Sequence, residues 1–144
     1  MDDLDKSLLA LLEENARLPV ADLSRKLGLA RTTVQSRLER LESNGVIAGY
    51  TVRLGERLAP KLQATVLISF EPQSGPSLIA RIKAIPEVRA AHTTSGRFDM
   101  LIEVAAETTH QLDDILDRIC AAKGVKGSES LIHLTTKIDR KGRQ

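Results

Sequence analysis

Residues 20–45 read VADLSRKLGLARTTVQSRLERLESNG, and two short helices joined by a tight turn are legible in them. Leu23 and Leu27 stand four apart on the first, and Gly28 is a natural left-handed stop. The turn Gly28-Leu29-Ala30 follows, and a second helix is expected from about Arg31 to Ser43, closed by Asn44-Gly45. Turning about 100° per residue from Val34 keeps Leu38 and Leu41 within about 40° of it. Thr32, Ser36 and Arg40 then fall on the far side, with Thr33 and Gln35 flanking them. The outer face therefore carries hydroxyls, an amide and a guanidinium. Such a pair is the helix-turn-helix pattern, whose second helix enters the major groove of DNA. A polar solvent-facing helix in a three-helix bundle would carry the same pattern.

On the N-terminal side, Asp2 or Asp3 can cap a helix with Leu4, Leu8, Leu11 and Leu12 on one stripe, ending near Asn15-Ala16 before Pro19. On the C-terminal side the period changes. Val46-Ile47, Tyr50, Val52 and Leu54 partly alternate around Gly49, which reads as a short strand or wing, with Tyr50 packing it against the helix before it. Residues 56–60, ending in Pro60, have no period and read as a linker, dividing a first domain over 1–55 from a second over 61–144.

The second domain has another rhythm. Leu62, Ala64, Val66, Ile68 and Phe70 alternate as in a strand. Ser74-Gly75-Pro76 opens a helix faced by Leu78, Ile79, Ile82 and Ile85, and Pro86 ends it. Val88 to Thr94 and Met100 to Ala105 read as strands about the turn 95–99. Thr108 with Gln111 forms a capping box for a helix faced by Leu112, Ile115, Leu116 and Ile119, and Leu131 to Ile138 alternates as a last strand. Strand, helix, strand, strand, helix, strand is the ferredoxin-like βαββαβ order, so the fold class is α+β: a winged helix-turn-helix followed by a ferredoxin-like domain. Helices on one sheet face leave the other to be covered, and pairing of two identical sheets is the economical solution. A homodimer is expected, and its two recognition helices could address half-sites about 34 Å apart.

Composition narrows the classes. In 144 residues, 42% are hydrophobic and 28% charged, which excludes disorder of the whole chain. No apolar run approaches the roughly 20 residues a bilayer span needs, and Met1-Asp2-Asp3 lacks the marks of a secretory signal. A cytoplasmic protein with no membrane partner is expected. Cys120 can neither form an internal disulfide nor build a zinc cage alone, and its place one turn after Leu116 reads as a buried apolar position. His92, His110 and His133 show no ligand spacing, so neither metal nor other cofactor is expected. The net charge of +2 is uninformative, but between Arg17 and Arg57 eight basic residues face four acidic ones. That concentration suits phosphate contact.

The chain resembles the leucine-responsive and asparagine-responsive (Lrp/AsnC) regulators over nearly its whole length. The likeness rests on Leu4-Asp5 with Leu8-Leu9, Asn15-Ala16-Arg17, Leu23-Ser24, Leu27-Gly28-Leu29, Val34 with Arg37-Leu38, Leu41-Glu42, and Gly45-Val46-Ile47 with Gly49-Tyr50. In the second half, Gly96-Arg97-Phe98-Asp99 is similar to that family's glycine-aromatic-aspartate turn. The resemblance implies a transcription regulator with a regulator-of-amino-acid-metabolism domain, dimers that assemble further, often to octamers, and an amino acid bound between dimers. One departure is Ala30, where the family often has Ser at the cap of the recognition helix; without that cap the helix is expected to begin at Arg31 or Thr32.

For double-stranded DNA, Thr32, Thr33, Gln35, Ser36 and Arg40 are the groove-facing candidates, since hydroxyls and amides meet base edges and Arg forks onto guanine. Arg31 and Arg37 at the flanks, Arg25 and Lys26 on the preceding helix and Arg53 on the wing suit phosphates. For a small-molecule effector, Gly96 lets backbone N–H groups face a carboxylate, and Asp99 offers a partner to an α-ammonium group; Arg97 and Phe98 lie between them. Resemblance to the family adds Thr94 and Ser95, with Ser128 to Ser130 from a neighbouring subunit. Asp99 could equally serve only to stabilise its turn. Two other functions share this layout. An architectural nucleoid protein would bind DNA widely without an effector, and a sirohaem-decarboxylase-like enzyme would need a histidine pair and aromatic residues that this chain, 2% aromatic, does not offer.

Overall fold

In a computed structural model, which describes residues 1–140, the chain divides into two compact units. One comprises Met1–Leu54 with the described tail residues 137–140, the other Gly55–Thr136. The first contains α1 (Asp3–Glu14), α2 (Val20–Leu27) and α3 (Arg31–Ser43). Asp2 caps α1: its carboxylate accepts from the Asp5 amide at 2.9 Å, and the Asp5 carboxylate accepts from the Asp2 amide at 3.3 Å. Two acids also favour the positive end of the helix dipole. Gly28 ends α2 at φ +65°, and the Ser24 hydroxyl bonds the Leu29 carbonyl across the turn. Leu8, Leu23, Val34, Leu38 and Leu41 form the core, with Leu9, Leu11, Leu12 and Ile47 against it. Leu4, expected on the α1 stripe, lies at its exposed margin.

Segment 46–54 is not the expected strand or wing. Among the described residues it takes part in no strand ladder, and its alternating Val52 and Leu54 stay exposed. Tyr50 does reach α3, donating its hydroxyl to Glu42 at 3.1 Å.

The second unit runs β1 (Leu62–Phe70), a short 3-10 turn at Pro72–Ser74, α4 (Gly75–Lys83), β2 (Val88–Thr93), β3 (Met100–Ala106), α5 (Thr109–Cys120) and β4 (Val125–Ile132). The sheet order is β2-β3-β1-β4, antiparallel throughout. Ala64, Val66, Ile68, Ile102 and Val104 from the sheet pack with Leu78 and Ile82 of α4 and Leu112, Ile115 and Ile119 of α5. The last strand lies earlier than the alternation 131–138 suggested. Its partner decides this: β1 begins at Leu62, so pairing ends at Ala64 opposite Ile132, with a last bond from the His133 amide to the Gln63 carbonyl at 2.9 Å. Leu134 and Ile138 are left exposed.

Two further expectations change at α5. The Thr108 hydroxyl accepts from the Gln111 amide at 3.1 Å, but the Gln111 side chain returns to the Glu107 amide at 2.8 Å, so the box is displaced by one residue. Cys120 is exposed rather than buried. About 80° around the helix from Leu112, it sits beyond the apolar stripe, and its thiol points to the Ser128 hydroxyl at 3.2 Å.

Candidate functional site

Without a capping side chain at Ala30, α3 still begins at Arg31, with the Val34 amide bonded to the Ala30 carbonyl at 3.1 Å. With Val34, Leu38 and Leu41 buried, rotation of the helix leaves Arg31, Thr32, Thr33, Gln35, Ser36 and Arg40 exposed. Gln35 donates to Glu39 at 3.0 Å one turn on. Arg25 and Lys26 on α2 and Arg53 in segment 46–54 are exposed, and Arg25 is also paired with Asp22. A row of hydroxyls and an amide along one side of a helix can meet base edges, with Arg31 and Lys26 offering charge to a phosphate backbone.

Arg37 and Arg40 are not simply solvated. Arg37 Nη1 donates to both Asp2 oxygens at 2.8 and 2.7 Å and to Asp5 Oδ1 at 3.0 Å. Arg40 Nη2 donates to Asp5 Oδ2 at 3.0 Å. The Asp5 side chain is 2% exposed, Arg37 20% and Arg40 55%, so Arg40 is the arginine of the set more open to solvent. The Arg37 hydrogen bond, aided by the Asp5 amide, lowers the Asp2 pKa from 3.8 to about 2. Burial works against the charge on Asp5, but the bonds from Arg37 and the Asp2 amide outweigh it and hold that carboxyl below its ordinary value. The same carboxylates raise the Arg37 pKa, Asp2 most. The sequence marks Asp2 only as a cap. Its role as partner to α3, and that of Asp5, spans more than thirty residues and leaves no local signal.

In the second unit the turn 94–99 is tied internally. The Thr94 amide bonds the Asp99 carbonyl at 3.0 Å and the Thr94 hydroxyl donates to the Phe98 carbonyl at 2.8 Å. Asp99 Oδ2 accepts from the Phe70 amide at 3.0 Å, joining the turn to the end of β1, so one of its oxygens already serves the turn. Gly96 adopts φ +111°, which a side chain would disfavour, and the Arg97 guanidinium lies 5.4 Å from the Phe98 ring centre. Ser95, Gly96, Arg97 and Asp99 are exposed. Ser128 and Ser130 lie on β4, opposite Ile68 and Val66. Within one chain, β1 stands between these serines and β3.

The histidines remain apart: His133 is 2.8 Å from the Thr65 hydroxyl, His110 lies 3.7 Å from Asp114, and His92 is exposed on β2. Among the described residues no group of three His, Cys, Asp or Glu could hold a metal ion, and no helix is long and apolar enough to cross a membrane.

Residues 1–42 match the AsnC-type helix-turn-helix domain, and residues 63–142 match the Lrp/AsnC ligand binding domain. The HTH-type transcriptional regulator LrpA of Mycobacterium tuberculosis is 32% identical over 97% of this chain and 95% of its own. Among solved structures, AsnC of E. coli superposes with a TM-score of 0.90 at 25% identity, covering 100% of this chain and 99% of that one. A Neisseria meningitidis transcriptional regulator in complex with L-Met gives 0.91 at 25% identity, covering 99% and 95%.

Proposed function

The chain belongs to the Lrp/AsnC family of transcriptional regulators, and from that premise we propose that it reads DNA through α3 and is governed by an amino acid bound beside the turn 94–99. The observation that carries the DNA half is the outer face of α3, where Thr32, Thr33, Gln35 and Ser36 lie exposed in consecutive turns while the opposite stripe is wholly buried. Arg40 adds a guanidinium, and Lys26, Arg31 and Arg53 supply phosphate contacts. Arg37, largely enclosed by Asp2 and Asp5, supports the helix more than it meets phosphate.

Residues 1–55 do the DNA reading, 56–60 connect, and 61–144 bind effector and assemble. Support for an amino-acid ligand comes from the L-Met complex of the Neisseria relative and from the chemistry of the turn: Gly96 for a carboxylate, and the Asp99 carboxylate for an ammonium group. Thr94, Ser95, Arg97 and Phe98 line the approach, with Ser128 and Ser130 contributed by a neighbouring subunit. The chain works in the cytoplasm as a dimer that assembles further, to an octamer.

Thermal-shift measurement against the amino acids, repeated with a duplex from beside the protein's own coding region, tests both halves. A rise in Tm with one amino acid and retention of that duplex are expected. A protein that binds no duplex at low ionic strength overturns the DNA reading. Salt-sensitive binding that is indifferent to sequence and to every amino acid replaces it with an architectural role.

A further inference from the structure

Four charged side chains from the two ends of the first unit's sequence form one closed set. Asp5 stands at its centre. Its Oδ1 accepts from Arg37 and, at 3.4 Å, from Arg40 Nη2, its Oδ2 from the same Arg40 nitrogen at 3.0 Å and from the Asp2 amide, and its own amide is held by Asp2. It is therefore fixed to the first turn of α1 on one side and grips α3 on the other. Arg37 and Arg40, three apart, project from the same side of α3. Their environments differ: Arg37 is spent on three carboxylate oxygens, while Arg40, more than half exposed, bonds among the described residues through Nη2 alone.

We infer that Asp5 is a positioning residue for base reading: its buried carboxylate holds the Arg40 guanidinium in place on α3 so that its remaining N–H groups are aimed outward before DNA arrives. This rests on the DNA-reading function proposed above. A guanidinium has five N–H donors in a rigid fork, so engaging Nη2 still leaves Nε and Nη1 for a partner. An unrestrained Arg loses rotamer freedom when a base edge captures it, and prior restraint removes that cost. The restraint also carries a chemical signature. Two carboxylates balance two guanidinia, so the set adds little to general attraction for phosphate; it favours a correct base over a wrong one.

Neutralising Asp5 should therefore move two quantities in opposite directions. The full-length protein, Asp5→Asn, Arg40→Ala and the double variant are titrated by fluorescence anisotropy with a duplex selected by the wild type from a random pool and with its shuffled counterpart, at one salt concentration. In Asp5→Asn the ratio of the two affinities falls about tenfold, while affinity for the shuffled duplex stays level or rises because a negative charge has gone. Arg40→Ala lowers the ratio similarly, and adding Asp5→Asn to it lowers the ratio no further. A ratio within about twofold of wild type in Asp5→Asn, or independent losses that multiply in the double variant, overturns the inference. A purely structural role would weaken both duplexes alike. A wild-type protein that selects no duplex overturns the DNA reading itself, and this inference with it. Should Asp5→Asn fail to fold, the wild type decides through its ¹⁵N guanidinium signals in the absence of DNA: separate, slowly exchanging Nη resonances for Arg40 are expected, and a single averaged one overturns the assignment.

Discussion

Asp5 is 1% exposed, and a carboxylate so placed persists in its charged form only when it is paired and hydrogen-bonded. Its neighbours supply both needs, and the same geometry makes the first unit sensitive to acid. Asp2 and Asp5 hold their protons less tightly in the folded chain than in the unfolded one, since the Asp2 pKa falls from 3.8 to about 2 and that of Asp5 is also lowered. In the window between those values the unfolded chain binds more protons, so stability declines as pH falls. Circular-dichroism melts should give a Tm that is flat above about pH 5 and drops from about pH 4 towards 2. Asp2→Asn, which cannot titrate, should flatten part of that drop; an unchanged profile would assign the acid transition to other carboxylates.

At the next scale, α3 is a helix with one end unfinished. Ala30 sits at its N-cap with φ −66° and ψ 148°, already extended as a cap should be, but has no oxygen for the amides of Thr32 and Thr33. Ala30→Ser should therefore stabilise the protein by about 1 kcal/mol, seen as a higher denaturation midpoint at unchanged slope. A midpoint that stays or falls would mean that those amides gain nothing from a serine oxygen. The elements most legible in the sequence are those whose period matches their burial: α3 with Val34, Leu38 and Leu41, and β1 with Ala64, Val66 and Ile68. β4 falls earlier than the alternation 131–138 suggests because an edge strand bonded to β1 takes its limits from that neighbour, and its polar residues 126–130 carry little alternation. Segment 46–54 alternates, but Val52 and Leu54 stay exposed, so its pattern corresponds to no buried face. The outer face of α3 could be derived from helical rotation alone. The carboxylates that grip Arg37 and Arg40 could not, because a contact across 32 to 35 residues depends on how α1 and α3 cross.

For the whole molecule, the decisive asymmetry lies in the sheet. α4 and α5 pack on the side of Ala64, Val66, Ile68, Ile102 and Val104. The other side brings Leu67 opposite Leu101 and Glu129, and Thr65 opposite Glu103 and Leu131, with no helix of that unit above them. Leu67 and Leu101, half-buried on central strands, form the apolar middle of this face, with Glu103 and Glu129 beside them. A second copy related by a two-fold axis would set leucine against leucine at the middle of this face, the arrangement an isologous interface favours. Leu67→Glu places like charges at that centre, beside Glu103 and Glu129, without touching the buried side. Sedimentation at micromolar concentration should then find a species of half the wild-type mass or less, with α5 and the sheet still folded by circular dichroism. Since two joined recognition helices gain affinity from acting together, binding to a duplex with two half-sites should weaken by about a hundredfold, while binding to a single half-site changes little. A variant with undiminished mass would move the pairing surface elsewhere, and a wild type that sediments as one chain would leave the face without the partner assigned to it.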